Sequence, residues 1–486
     1  MIVSRPAFHF APARGWMNDP NGLIAVDGEY HLFFQHNPEA DDWGPMHWGH
    51  AVSRDLLAWE PLPLALAPDD NGTIFSGSAV IDRCGTSGFG VGALVAVFTY
   101  DNRTGQSQGL AGSNDGGRSW SKHAANPILR APAGVHEFRD PRVFWWQPPE
   151  AAGAGHWVMV LACGDEVRLY TSADLVGWEW ASTFRDAEGA TDVLWETPDL
   201  FELPVEGEES RWVLAFGLLG DGPCGGTGTK YLVGRFDGTR FIPEPGSTPR
   251  WVDQGPDFYA AQTWTGAERP IWAAWLGNWA YARSVPSTGW RGTLTVPREL
   301  SLVRTPGGLR LRQVPTGAIA RSRRPIVALT DITPMPGERI ALADGQLALD
   351  VRLAVRNEPR VAGALRLRLT STTDEPDGHD DTPVAVITLD GRSGTLEVCR
   401  RAIALGSEGA NDVWVRPGRA ELGKGEGDLS LRILVDATSL EVFAEDGLTC
   451  VSHQLPLPTT TYAMDLVTDG GPWHITAVEV DEVRPV

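Results

Sequence analysis

The sequence predicts an all-β protein, a five-bladed β-propeller followed by a C-terminal β-sandwich. Three observations predict it. A unit of about sixty residues recurs through the N-terminal part, with no convincing amphipathic helix inside it. Strict apolar–polar alternation takes over further on, the mark of half-buried antiparallel strands. Glycine (55), proline (36) and tryptophan (20) are abundant among 486 residues, which favours short strands and tight turns over helices. A chain of this length exceeds one ordinary core, so two domains are expected. Their expected bounds are 1–304 for the propeller, 305–325 for a linker rich in Pro, Gly and Arg, and 326–486 for the sandwich.

The repeat is clearest at its hairpins. Ser53-Arg54-Asp55-Leu56-Leu57-Ala58-Trp59 resembles Ser172-Ala173-Asp174-Leu175-Val176-Gly177-Trp178, and Ser113-Asn114-Asp115-Gly116-Gly117-Arg118-Ser119-Trp120 lies between them. Each reads as a strand end, a polar turn and a tryptophan that opens the next strand. Phe236-Asp237-Gly238-Thr239-Arg240-Phe241 is a weaker fourth copy. The runs Leu94–Thr99, Trp157–Leu161, Trp212–Phe216 and Ile271–Leu276 are nearly continuously apolar, as expected for strands buried on both faces. After Pro297-Arg298-Glu299-Leu300 the pattern changes. Leu347, Leu349, Val351, Leu353 and Val355 alternate with Ala348, Asp350, Arg352 and Ala354, and Leu365, Leu367 and Leu369 alternate with Arg366 and Arg368. Runs near 384–389, 429–435, 440–443 and 475–480 continue it, as in a sandwich. No constellation of chemical groups stands out there, so a structural companion domain is expected.

Composition excludes several classes. A net charge of −21 argues against a nucleic-acid partner. The five cysteines include no close pair, so neither a disulfide framework nor a zinc site is indicated. No apolar run is long enough to span a membrane, so no membrane partner is expected. The first residues show no secretion signal, and a cytoplasmic location is expected unless a leader was trimmed.

Chemistry enters when the period is applied to polar motifs. Trp16-Met17-Asn18-Asp19-Pro20-Asn21-Gly22 is a dense turn signal just before the apolar run Tyr30–Phe34. Asp19, Ser76, Asp140, Glu196 and Tyr259 then follow one another at about the repeat period, each early in its unit where the innermost strand falls. Five innermost strands around one axis bring these side chains to one end of it. Singly, each has a plainer reading: Asp140 as a turn aspartate, Glu196 as a solvated loop charge, Ser76 as structural, Tyr259 as core. Together, three carboxylates in one aromatic-rimmed pocket raise at least one pKa by desolvation and like-charge repulsion, which is costly unless used. Glycoside hydrolysis uses such a group: one carboxyl protonates the leaving oxygen while another attacks or stabilises the sugar. Trp16, Trp43, Trp48 and Trp279 offer faces for sugar stacking. His47 and His50 invite a metal reading, but no third close ligand accompanies them.

At these residues the chain resembles glycoside hydrolase family 32, the invertase, inulinase and levanase family. The motifs WMNDPNG (from Trp16), FSGS (from Phe75), FRDP (from Phe138) and DFYA (from Asp257) match in order, as does Trp43-Gly44-Pro45-Met46-His47-Trp48-Gly49-His50. The runs Leu431–Asp436 and Leu440–Phe443 resemble the family's sandwich. The resemblance implies the same two-part fold and a retaining, exo-acting hydrolase that releases terminal β-fructofuranosyl residues from levan, inulin and sucrose. It implies Asp19 as nucleophile, Glu196 as general acid/base, and Asp140 as a stabiliser that binds fructose hydroxyls, with Arg139 beside it. Asn18, Gln35, Trp43, Phe75, Ser76, Tyr259 and Trp279 are implied at the fructose subsite. The implied partner is a sugar substrate, and no cofactor is implied. One departure is Thr197, where the family usually has Cys after the acid/base glutamate. A threonine hydroxyl beside a buried carboxylate is expected to donate to it and lower its pKa. Fructosyl transfer on the same scaffold and a non-catalytic fructan-binding propeller are the alternatives. The three carboxylates argue against the second. A five-bladed arabinan- or xylan-cleaving hydrolase is opposed by WMNDPNG and DFYA.

Overall fold

The computed structural model describes residues 5–148, 155–185, 193–205, 207–356, 361–372, 382–423, 428–455 and 461–484. Among these the chain is all-β apart from one short α-helix, Glu408–Val415, and two 3₁₀ turns. Five antiparallel sheets follow one another up to Pro315. The first strands of the five in chain order, here called the inner strands, are Gly15–Val26, Thr73–Asp82, Arg139–Trp146, Trp195–Leu203 and Tyr259–Thr263. These five inner strands touch one another in sequence, and the fifth touches the first. The circle is also joined by Trp290–Arg291, which lies parallel to Gly15–Trp16 and ties the end of this part to its beginning.

The recurring hairpins have one physical cause. Ser53 Oγ accepts from the Leu56 N–H and Asp55 Oδ1 accepts from the N–H groups of Leu57 and Ala58. Ser172 and Asp174 do the same for Leu175, Val176 and Gly177. The two side chains replace the missing ladder partners of the turn and hold Leu56 and Leu175 at positive φ. In the first motif, Gly22 has φ +54°, and a Cβ there would sit 2.8 Å from the Phe33 ring and 2.9 Å from Trp48. Only glycine fits both the turn and the aromatic wall.

The stretch 305–325, expected as a linker, needs correction. It contains Gly308–Pro315, which pairs in register with Arg298–Thr305 as the outer hairpin of the fifth sheet. The strand pattern was hidden because one of its inward positions is polar. Gln313 is buried, donating to Val252 O (2.7 Å) and accepting from Trp272 Nε1 and Arg298 Nη1.

From Arg323 onward the chain forms two six-stranded antiparallel sheets that share one apolar cluster. Leu349, Val351, Leu353 and Val355 face Leu365, Leu367 and Leu369 across it, as their alternation predicts. Ala348 and Asp350 are also buried, although alternation put them on the solvent side. Ala348 packs with Phe8, Leu57, Val296, Leu434 and Phe443, because this sheet's outer face lies against the N-terminal part. Asp350 takes charged hydrogen bonds from Arg323 and Arg432.

Candidate active site

Each inner strand loses register near its start, and the first does so again between Asn21 and Ile24. The breaks near the starts lie between Met17 and Pro20, Phe75 and Gly77, Arg139 and Arg142, Glu196 and Asp199, and Tyr259 and Gln262. A bulge of this kind bends a strand and re-aims its side chains. The sequence favours it locally, since Pro20, Pro141 and Pro198 cannot donate to a ladder. Asp140, Thr197 and Ala260 take positive φ at the break (62°, 46° and 55°). The clustered polar residues are either the last paired residue before a break or lie within the bulge itself.

Asp19 sits at the centre. Its Oδ1 accepts from Asn18 Nδ2 at 3.0 Å and its Oδ2 from Ser76 Oγ at 2.6 Å. Asn18 is oriented in turn by Trp16 Nε1, which donates to Asn18 Oδ1 at 2.8 Å. Glu196 is held at both oxygens: Arg139 Nε donates to Oε1 at 3.1 Å and the Tyr259 hydroxyl to Oε2 at 2.6 Å. Asp140 Oδ2 accepts from the Thr197 N–H at 2.9 Å, and Arg139 Nε lies 4.0 Å from it. These bonds make two sets, Asn18–Asp19–Ser76 and Arg139–Asp140–Glu196–Tyr259, close enough that Glu196 acts by charge on Asp19 and Asp19 on Asp140. Gln35 is buried opposite the first bulge, and its amide donates to Asn21 Oδ1 at 2.8 Å.

An aromatic collar surrounds the group. Trp16, Met46, Tyr259, Trp275 and Ala282 form its buried part, with Phe75 and Trp279 packed against them. Trp16 and Trp279 stack with ring centroids 5.7 Å apart. Trp43 is 40% exposed and meets Phe75 edge-on at 6.2 Å. Trp48, expected as a stacking face, is instead fully buried, its Nε1 donating to Phe75 O. Its ring is enclosed by Ile24, Phe33 and Phe98, so it supports the wall from behind.

Burial raises the Asp19 carboxyl to about 6; Glu196 adds to the rise, and Ser76 and Asn18 oppose it. Burial also drives Asp140 upward, against the pull of Arg139, with Glu196 and Asp19 adding like charge. The phenol of Tyr259 rises well above its ordinary value through burial and the adjoining Glu196. Arg139 thus lies beside Asp140 and Glu196, while burial favours the protonated forms of Asp19 and Asp140. Carboxyls held in such different surroundings suit a reaction that needs both a nucleophile and a proton donor.

Thr197 departs from expectation. Its hydroxyl is buried without a hydrogen-bond partner among the described residues, and only its backbone N–H serves the site, at Asp140. The positive φ at Thr197 accounts for this, because it directs the amide toward Asp140 and leaves the hydroxyl 3.1 Å from where a Gly217 Cβ would stand.

Several supporting residues escaped the sequence reading. Thr99 Oγ1 accepts from the Asp140 N–H at 3.0 Å, and Gln106 and Glu137 accept from Arg139. Arg142 and Asp199 form a buried ion pair at 2.9 Å, and Thr263 bonds to both. The signal for this pair was present: Asp140-Pro141-Arg142 and Thr197-Pro198-Asp199 carry opposite charges at matched places in neighbouring repeats.

Residues 9–315 match the glycosyl hydrolases family 32 N-terminal domain, and residues 322–482 match the family 32 C-terminal domain. A levanase of Bacillus subtilis (strain 168) is 38% identical over 499 residues, an alignment covering 99% of this chain and 71% of that protein. An extracellular exo-inulinase of Aspergillus ficuum is 34% identical, covering 99% of this chain and 94% of that one. The crystal structure of exo-inulinase from Aspergillus awamori superposes with a TM-score of 0.87 at 30% identity, covering 100% of both chains. The structure of β-fructofuranosidase from Schwanniomyces occidentalis with fructosyl-erythritol superposes with a TM-score of 0.88 at 28% identity, covering 99% of this chain and 98% of that one.

Proposed function

The chain belongs to glycoside hydrolase family 32 and is a glycosidase of fructan and sucrose, and from that premise we propose a retaining, exo-acting mechanism carried by Asp19, Asp140 and Glu196. Asp19 attacks the anomeric carbon of a terminal β-fructofuranosyl unit. Its carboxylate forms a covalent fructosyl ester as the glycosidic C–O bond breaks, and Glu196 gives its proton to the leaving oxygen. Glu196, now ionised, takes a proton from water. That water attacks the ester carbon, fructose leaves, and Asp19 returns as carboxylate. Asp140 accepts hydrogen bonds from fructose hydroxyls that strengthen as positive charge grows on the ring. Asn18, Gln35, Trp43, Phe75, Ser76, Arg139, Tyr259 and Trp279 line the fructose subsite.

The observation that carries this reading is the different support of two carboxyls in one pocket. Asp19 is buried between two neutral donors, Asn18 and Ser76, whereas Glu196 is gripped by Arg139 and Tyr259. We read the five sheets up to Pro315 as propeller blades around this pocket, and the two six-stranded sheets as a companion β-sandwich.

Incubation with sucrose, inulin and levan, followed by sugar analysis, tests the mode of action. Free fructose from the polymers without oligomers is expected; oligomers as early products would refute the exo mode. Glu196→Gln tests the assignment of the acid. It should slow sucrose far more than an aryl fructoside, whose leaving group needs no proton. Equal losses on the two would move the acid elsewhere.

A further inference from the structure

Two loops from opposite ends of the N-terminal part meet beside the site. One, residues 38–46, carries Trp43. The other, residues 276–289, carries Trp279 and Ala282, which pack into the collar. Arg283 reaches from the second loop to Asp42 in the first with two parallel bonds, Nε to Oδ1 at 2.8 Å and Nη2 to Oδ2 at 2.9 Å. The same Oδ1 accepts from the backbone N–H of Trp43 at 2.9 Å. The Asp42 carbonyl accepts from Asn37 Nδ2, also at 2.9 Å, and so anchors the loop to the strand below. Ser287 adds a bond to the Asp41 carboxylate, and Arg291 Nη1 donates to Arg283 O at 2.9 Å, bracing the second loop.

We propose that Asp42 and Arg283 are a positioning pair that holds Trp43 at a set distance from the Trp279 side of the pocket and so determines how tightly the sugar is gripped. This rests on the reading of Trp43 as a wall of the fructose subsite. Trp43 is the most exposed of the subsite tryptophans, with an edge contact to Phe75 as its ring partner. Its backbone placement therefore depends on the Asp42 carboxylate. Most exposed ion pairs contribute little, but a bidentate arginine–carboxylate pair adds directional hold as well as charge. Here the hold is passed directly to the next residue, the one that meets the sugar. Neither side chain contacts the three carboxylates, so the pair acts on binding rather than on the bond-breaking step.

The test measures kcat and KM on sucrose for Arg283→Gln, Asp42→Asn, the charge-exchanged double variant Asp42→Arg/Arg283→Asp, and Trp43→Ala. Arg283→Gln should raise KM about three- to fivefold with kcat within about twofold, in the direction Trp43→Ala takes it. The double variant should recover part of that loss. Sucrose is neutral, so wild-type KM should rise with salt as the exposed pair is screened, while KM of Arg283→Gln stays flat. If Trp43→Ala raises KM but neither single-charge variant does, the pair has no positioning role. A matched fall in kcat and melting temperature with KM unchanged would make it a purely structural tie, also overturning the proposal. If Trp43→Ala leaves KM unchanged, the subsite reading fails, and this inference with it.

Discussion

Asp19 carries a stability cost that follows from its pKa. Burial raises the carboxyl to about 6, whereas an unfolded aspartate titrates near 4. Below about pH 4 it is protonated in both states and costs nothing. Between about 4 and 6 the unfolded chain gives up its proton first, so stability falls as pH rises; above about 6 the whole cost is present. Asp19→Asn should therefore be inactive yet more stable at pH 7, by on the order of 2 kcal/mol, with the gain gone near pH 4. Urea unfolding at the two pH values measures this, and a less stable variant at pH 7 would contradict it. The acid limb of kcat/KM should fall near pH 6 for the same reason. Thr197 sets a second test. Its orphaned hydroxyl gives Glu196 nothing to lose, so Thr197→Cys should leave the basic limb where it is. It should not destabilise, because it removes a buried unpartnered oxygen and a β-branch at positive φ. A basic limb displaced by about half a unit or more would restore a hydroxyl-to-carboxylate bond.

At the scale of elements, the site is a product of bulges. The five breaks in register re-aim the side chains of one strand end, and pairing resumes beyond each, with a second break in the first strand between Asn21 and Ile24. Ala260 exposes the mechanism best. It is buried at φ 55°, directly after the tyrosine that donates to Glu196. Ala260→Gly relaxes the left-handed strain and loosens the unfolded chain, effects of opposite sign, so stability should change by no more than about 1 kcal/mol. Ala260→Val places a β-branched residue where φ is positive and should cost more than about 2 kcal/mol. Its kcat should fall with it, because Tyr259 is carried out of reach of Glu196. Denaturant midpoints and kcat for both variants check this; a valine variant with wild-type kcat would separate the bulge from catalysis.

Across the whole molecule, the two parts are joined through buried charge. Arg298 is fully enclosed between them, bonding to Asp253, Glu441 and Ser452. His9, near the start of the chain, reaches Asp436 and Glu441 in the C-terminal part, each at 2.8 Å. Burial alone would strip its proton, but the hydrogen bonds and negative charge of those two carboxylates outweigh it and raise the imidazole to about 9. The unfolded value lies near 6.5, so the protonated ring contributes stability that is complete below about 6.5 and lost as pH rises through about 9. Unfolding free energy should therefore decline over that window, and His9→Gln should flatten the decline. An equally steep decline in the variant would assign it to another group. Removing Arg298 should be more damaging, on the order of 3 kcal/mol or more, since Asp253 then loses its buried counter-charge and Glu441 keeps only His9.

What the sequence determined was whatever repeats or alternates. The Ser–x–Asp turns announced the sixty-residue unit because side chains two residues apart satisfy the turn locally, without help from distant contacts. Alternation announced Leu349–Val355 and Leu365–Leu369 because one face of each strand meets a core. The polar motifs placed Asp19, Ser76, Asp140, Glu196 and Tyr259 in one group for the same reason: each stands near the start of its repeat. Tertiary structure alone decided which atoms meet. Thr197 offers Asp140 its amide and withholds its hydroxyl because a bulge fixes its φ, and no local pattern encodes that. Gln313 hid a strand, and Asp350 sat on the wrong face, because each is buried against a surface far away in the chain. Periodicity records which side of a strand is covered; what covers it, and at what angle, depends on residues outside the strand's own repeat, tens of positions distant in these cases.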